Sequence, residues 1–192
     1  MIWRWGLLLA LGLSGAAQAQ GIDHAAIFER EAARVVEAGT EDGAVVETLQ
    51  MENGIELRRL TAEDGVVTYE GIDRSGLGAV GCLYRIYFEL DAAGRFCPWA
   101  PPPEAAQTFE RRLNRIATFV AENGEPRREP GEAPAMLDAA REAYGREVAR
   151  LGCPDPGEGM QGFAAALASE AMDPVLDMAL SVPRLPVMLP CL

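Results

Sequence analysis

A regular alternation of apolar and mixed positions runs from Cys82 to Leu90. The even positions carry Cys, Tyr, Ile, Phe and Leu, and a period of two is typical of a half-buried strand. Residues 91–94, Asp-Ala-Ala-Gly, then fit a tight turn with glycine in the left-handed conformation. A return strand in register would place Phe96 on the apolar face. We therefore predict a β-hairpin over residues 82–97, with the rest of the chain packed around it.

Apolar residues at helical spacing indicate a helix near the N-terminal end of the chain. Asp23 is suited to cap its first turn, and Ile27 and Phe28 begin an apolar stripe. Gly39 is suited to end it. We expect this helix to run to about Ala38.

Strands are predicted between residues 45 and 69, where apolar and polar residues alternate. Turns that end in Gly54 and Gly65 separate them, which points to an antiparallel meander. The first turn places Leu57 opposite Leu49. Since a slip of one residue would turn each apolar set outwards, this register is a specific prediction.

A glycine-rich link over residues 71–81 contains Gly76-x-Gly78-x-x-Gly81. The spacing matches a dinucleotide-binding turn, but that motif needs a strand before it and a helix after it. Because we predict a strand after Gly81, we interpret the link as a connection between two strands.

The C-terminal half has helical periodicity. An apolar stripe with spacings of four, three and four residues comprises Phe109, Leu113, Ile116 and Val120. Further helices are expected over residues 137–151 and 160–172, and a short one capped by Asp173 with Pro174 in its first turn. We expect the apolar, proline-spaced tail to be held down through Cys191.

Together these patterns predict an α+β fold: an N-terminal helix, an antiparallel β-meander of four to five strands, then three to four C-terminal helices, with two disulfides. Residues 1–19 are expected to form a signal peptide. Residues 20–192 are expected to form a single α+β domain, in which 20–100 supply the first helix and the sheet and 101–192 the helical half.

The first residues have the pattern of a secretory signal. Arg4 precedes a short apolar run over residues 7–13, and Ala17-Gln18-Ala19 offers a cleavage site after Ala19. We therefore expect a periplasmic or secreted protein. All basic residues are arginines, and alanine and glycine are abundant, which is typical of a GC-rich bacterial genome.

The chain is acidic: 17 basic residues stand against 29 acidic ones, for a net charge of −12. Such a charge repels phosphate backbones and anionic membranes, so we expect no nucleic-acid partner. No segment after the leader is long and apolar enough to predict a transmembrane helix.

Four cysteines lie after the predicted cleavage site, and an even number in an oxidising compartment favours two disulfides. In a regular hairpin Cys82 and Cys97 would lie about 20 Å apart, too far for a bond. This favours Cys97–Cys153, which links the sheet to the helical half. Cys82–Cys97 together with Cys153–Cys191 is the rival arrangement.

Candidate binding residues follow from the hairpin. Arg85, Tyr87 and Glu89 would project from one face of its long strand, and Trp99 lies just beyond it. If that face lines a groove, these residues could bind a polar ligand, and Glu89 could serve in acid–base chemistry.

Other chemistry has little support. His24 is the only histidine, and the cysteines are expected to be oxidised, so neither a histidine triad, a metal site nor a cofactor is predicted. The acid pairs Glu41-Asp42 and Glu63-Asp64 lie in predicted turns and are expected to be solvated. A cluster of arginines could form a local basic patch: Arg111, Arg112, Arg115, Arg127 and Arg128.

We therefore expect a non-catalytic binding or assembly module that contacts an envelope protein or a small ligand. One alternative is a carboxylate-dependent hydrolase on the sheet face, which needs a concave site joining Glu89 to a second acid. Another is a carrier of an apolar ligand, which needs an apolar cavity of about 300 Å³ or more. A binding module predicts an exposed apolar patch instead.

Overall fold

The computed structural model describes residues 22–98, 103–153 and 159–191. The predicted signal peptide, residues 1–19, and Trp99 lie outside these residues. The first elements are α1 (His24–Arg30), β1 (Val36–Glu41), β2 (Ala44–Gln50), β3 (Ile55–Thr61) and β4 (Val67–Asp73). The helices that follow are α2 (Val80–Phe96), α3 (Pro103–Asn123), α4 (Ala133–Leu151), α5 (Met160–Ala168) and α6 (Met172–Ala179). The predicted α+β class is confirmed.

The four strands form one antiparallel sheet in the order β1-β2-β3-β4, so each strand pairs with its neighbour in the chain. The predicted pairing of Leu49 with Leu57 is confirmed. Both side chains are fully buried against α1, which explains why the register is specified.

The first helix is shorter than predicted. The side chain of Asp23 accepts a hydrogen bond from the Ala26 amide at 2.9 Å, so the predicted cap is confirmed, but α1 ends at Arg30. The chain then turns into β1, where Val36 lies opposite Thr48. Gly39, predicted as the helix stop, lies in β1 directly after a bulge and has a φ of 116°. The prediction was wrong because it counted the valines before Gly39 as part of a helical stripe, although β-branched residues favour strands.

The predicted hairpin over residues 82–97 is wrong, because this stretch forms helix α2. Its buried residues include Val80, Leu83, Tyr87 and Leu90, which are spaced by three or four. A run in which most residues are apolar fits both periods, and the period of two was misleading. Two pairs at i and i+4 indicate a helix instead: Arg85 with Glu89, and Asp91 with Arg95.

The buried apolar residues form two cores. The first lies between α1 and the sheet and comprises Ile27, Phe28, Leu49, Ile55, Leu57 and Val187. The second fills the helical half, where α2, α3 and α4 pack with α5 and α6. Val187 belongs to the first core, so the tail is a structural part of the sheet layer.

The tail is tied to the sheet and to α2 by backbone hydrogen bonds. The Asp73 amide donates to the Leu189 carbonyl at 2.6 Å, and the Leu189 amide donates to the Gly71 carbonyl at 3.1 Å. The Gly81 amide, at the start of α2, donates to the Val187 carbonyl at 2.9 Å. The glycine-rich link follows a strand and precedes a helix, so the prediction that it connects two strands is wrong, and so is our reason for rejecting the nucleotide motif. The C-terminal tail, however, packs against Gly81, the last glycine of that motif.

Both disulfides match the favoured pairing. Cys97 bonds Cys153 with Cα atoms 5.7 Å apart, and Cys82 bonds Cys191 with Cα atoms 5.3 Å apart. The argument from a hairpin was wrong, but a helix separates Cys82 from Cys97 by a similar distance, about 22 Å at 1.5 Å per residue. The second bond holds the tail on α2, as expected.

Within the described residues, no helix combines the length and the apolar character needed to cross a membrane.

Candidate binding groove on the outer sheet face

The sheet has two different faces. The inner face carries Leu49 and Leu57 and packs on α1, whereas the outer face carries Thr48 and Arg58, which lie directly opposite each other. Because directly paired residues share a face, the next residue in that row is Glu70 on β4. The outer face is therefore polar at its centre.

Arg58 is the centre of this polar network. Its guanidinium donates from Nη1 to Glu70 at 2.9 Å and from Nη2 to Glu41. Only 16% of its side chain is exposed. The hydrogen bond with Glu41 raises the pKa of Arg58, so the group stays charged. The pair also links β1, at the edge of the sheet, to β3 and β4.

A second network lies beside the first. Glu56 accepts a hydrogen bond from the Gln50 amide group at 2.9 Å and another from the Arg74 guanidinium at 3.1 Å. Burial favours a raised pKa for Glu56, but the two hydrogen bonds and the nearby arginines outweigh it, and the pKa is lowered. Glu56 is therefore held as a carboxylate at neutral pH.

These networks border a groove of about 490 Å³. Its lining comprises residues 38–41 of β1, Val46 and Thr48 of β2, Glu56 and Arg58 of β3, and Arg74 after β4. Two carboxylates and two guanidiniums thus line the groove, and Glu70, outside the lining, pairs with Arg58. The groove offers hydrogen-bond donors, acceptors and the backbone of the bulged strand β1.

The predicted site residues do not form one surface. Arg85 and Glu89 form an exposed ion pair at 2.8 Å on α2. Tyr87 points the other way, is fully buried, and donates its hydroxyl hydrogen to the Leu167 carbonyl at 2.9 Å. The prediction that the three residues share a face is wrong, because a helix distributes residues i, i+2 and i+4 differently from a strand.

The predicted arginine patch is also divided. Arg112 is 1% exposed and donates to Asp173 at 2.7 Å, and it also donates to the carbonyls of Leu167 and Ser169. It fastens α5 and α6 to α3 rather than forming a surface. Asp173, predicted as the cap of α6, lies in its first turn and serves as the partner of Arg112.

His24 packs at the edge of the first core, with its ring stacked on that of Tyr69 at 5.9 Å. Burial lowers its pKa below the usual 6.5, and the neighbouring Asp23 carboxylate opposes the shift. In residues 22–98, 103–153 and 159–191, no group of three or more histidine, cysteine or acidic side chains is arranged to hold a metal ion.

Sequence reasoning missed the groove. Glu41 was assigned to a solvated turn, and Arg58 was not singled out. The signal was present, because opposite charges that alternate with apolar residues on neighbouring strands favour cross-strand pairs. Finding them required β1, whose first residues we had predicted as the end of the first helix and whose last residue, Glu41, we had placed in a turn.

Comparison with known protein families, with curated proteins and with solved structures finds no match to this chain.

Proposed function

We propose that this protein is a non-catalytic binding module and that the groove on the outer sheet face recognises a polar, positively charged part of its partner. The observation that carries the proposal is the groove itself, in which ion pairs hold Glu41, Glu56, Arg58 and Arg74 in place at a concave surface. Side chains that are already positioned lose little conformational entropy when a ligand binds.

Binding is favoured over general-acid catalysis because Glu56 is held in its ionised form in the groove. A general acid at neutral pH needs a raised pKa, whereas the pKa of Glu56 is lowered. Glu89, the acid favoured from the sequence, is paired with Arg85 on exposed helix surface and lies in no part of the groove. The hydrolase hypothesis required a concave site that joins Glu89 to a second acid, and the groove does not include Glu89.

Charge indicates the class of partner. The two acids and two arginines of the lining balance, and Glu70, which is not part of the lining, shares the Arg58 guanidinium. The whole chain carries a net charge of −12, which attracts basic molecules and speeds their association at low salt. An apolar ligand fits poorly, because it would remove water from the charged side chains that line the groove, which costs free energy.

A labelled lysine-rich peptide tests the groove. Glu41→Gln combined with Glu56→Gln should weaken its binding at least about tenfold, and the affinity should fall as salt is added. The matched control is Glu142→Gln with Glu147→Gln, which removes two charges from exposed pairs on α4. Equal affinities for the two double variants would show that the peptide senses net charge only, and the groove would lose its assigned role.

We also propose that the protein works in the periplasm or outside the cell. Two disulfides among the described residues support this, since such bonds persist in oxidising compartments. The mass of the exported protein should correspond to cleavage after Ala19 and to two disulfides. A reduced protein that retains residues 1–19 would contradict the proposal.

A further inference from the structure

The inner face of the sheet changes character row by row. Leu49 and Leu57 form a row that is buried under α1. The next row pairs Glu47 with Arg59, and the third pairs Val45 with Thr61. Each row lies one step further from the turn between β2 and β3, so the third row lies at the end of the sheet where the β1–β2 and β3–β4 turns meet.

This end of the inner face is apolar and exposed. Thr61 also pairs with Val67, so Val45, Thr61 and Val67 form a continuous row of β-branched side chains across three strands. Val45 is 40% exposed, Val67 is 44% exposed, and Val66, in the turn beside it, is 57% exposed. We call these four residues the valine end. Clustered exposed apolar side chains with a polar border are typical of interaction surfaces.

A polar row separates the valine end from the core. Arg59 donates to both carboxylate oxygens of Glu47 at 2.7 Å, and its guanidinium lies 5.1 Å from the centre of the Phe28 ring. The pair covers the side of Phe28 and closes the first core. The valine end is therefore a distinct surface rather than the exposed rim of the buried cluster.

The two turns at this end carry only acidic charges. Asp42 follows β1, and Glu63 and Asp64 lie between β3 and β4. Asp64 accepts a hydrogen bond from the Val66 amide at 3.0 Å, which shapes the turn and presents Val66. A second copy of this chain would bring the same acids against these, and like charges placed opposite each other disfavour that contact.

We infer that the valine end docks a basic amphipathic segment of another protein, with apolar side chains on the valines and lysine or arginine side chains on the acids of the two turns. Burial of the apolar row would stabilise the complex, and pairing of the basic side chains with the acids of the two turns would fix the orientation of the docked segment. This surface lies on the face opposite the groove, so the inference does not depend on the function proposed for the groove.

A labelled peptide of alternating leucine and lysine tests this inference, because in an extended conformation its leucines lie on one face. Val45→Thr combined with Val67→Thr should raise its dissociation constant at least about tenfold, since each substitution replaces a buried methyl group by a hydroxyl that the leucines leave without a hydrogen-bond partner. Val36→Thr is the matched control. Val36 is 62% exposed on β1 and lies opposite Thr48 on the outer face, so its substitution should leave the affinity unchanged.

The acidic turns are tested by Asp42→Asn combined with Glu63→Gln, compared with the Glu142→Gln and Glu147→Gln control. The turn variant should weaken binding and reduce its dependence on salt, whereas the control should not. Threonine retains the preference for strands, and unchanged circular dichroism of each variant verifies the fold.

Three results would overturn the inference. The first is an equal affinity of the Val45/Val67 variant and the Val36 control. The second is a loss of leucine–lysine binding in the Glu41/Glu56 groove variant, which would place the peptide in the groove. The third is a dimer in sedimentation experiments that the Val45/Val67 substitutions abolish, which would make a second copy the occupant.

Discussion

Arg184 and Asp73 form an ion pair at 2.8 Å in which the two side chains are 0% and 1% exposed, although 111 residues separate them in the chain. Three further hydrogen bonds from the Arg184 guanidinium go to the carbonyls of Ala179, Val182 and Gly78. The pair therefore joins the end of β4, the link to α2 and the segment after α6. It lies between the sheet layer and the helical half.

Arg184→Met should destabilise the protein by about 3–5 kcal/mol, because it leaves the Asp73 carboxylate buried without its cation. Arg115→Met is the control, since the pair of Arg115 with Asp177 has side chains that are 44% and 65% exposed. Its loss should cost less than about 1 kcal/mol. Urea unfolding measures both, and a similar small effect of the two substitutions would contradict the central role of Arg184.

Two buried tyrosines on α2 should respond oppositely to removal of the hydroxyl. Tyr87→Phe loses the hydrogen bond to Leu167 and should cost about 1 kcal/mol. Tyr84 is 2% exposed and its hydroxyl has no partner within the described residues, so Tyr84→Phe should be neutral or stabilising.

Burial raises the pKa of Tyr84 to about 12, and Arg141 opposes the shift. Spectroscopic titration should therefore show that this tyrosine ionises late, by a step that is absent in the Tyr84→Phe variant. If Tyr84→Phe destabilises the protein as much as Tyr87→Phe, a bound water satisfies the hydroxyl and the prediction is wrong.

Gly81→Ala should loosen the tail. A Cβ atom at this position would lie 2.5 Å from the Pro186 carbonyl oxygen and 2.6 Å from that of Val187, so backbone must move. We expect a loss of about 1–3 kcal/mol and faster hydrogen exchange at the Leu189 amide. Gly162→Ala in α5 has open space and should stabilise by about 0.5–1 kcal/mol. Equal effects of the two substitutions would contradict the close packing of the tail.

His24 predicts how stability depends on pH. Because burial lowers its pKa in the folded protein, the unfolded chain binds the proton more tightly. The contribution of His24 is therefore fully present above the unfolded pKa of about 6.5 and declines as the pH falls through the lower, folded pKa. The free energy of unfolding, measured at a series of pH values, should show this decline. His24→Gln should remove the part of the decline that is due to the histidine. A histidine signal that titrates above 6.5 in NMR spectra would reverse the sign.

The elements that were predicted correctly are those in which one period dominates. The stripe that includes Leu113 and Ile116 in α3 has a single helical reading, and the pairing of Leu49 with Leu57 has a single register that buries both. The prediction for residues 82–96 was wrong because apolar side chains occupy most positions, so the spacing fits a strand and a helix alike. The pairing of Arg85 with Glu89 at i and i+4 was the local feature that indicated a helix. The groove was not predicted because β1 was not predicted as a strand. Glu41 pairs with Arg58 only when β1 is part of the sheet.

The fold class, the register of the central strands and the helices of the C-terminal half could be predicted without a structure, because they depend on local periodicity and on turn residues. The burial of Tyr87 next to an exposed Arg85, and the pairing of Arg184 with Asp73, became visible only in the folded chain. Those outcomes depend on contacts between segments far apart in the chain, whose energies no local pattern contains. For the same reason, the groove and the valine end become visible only when the strands are assembled side by side.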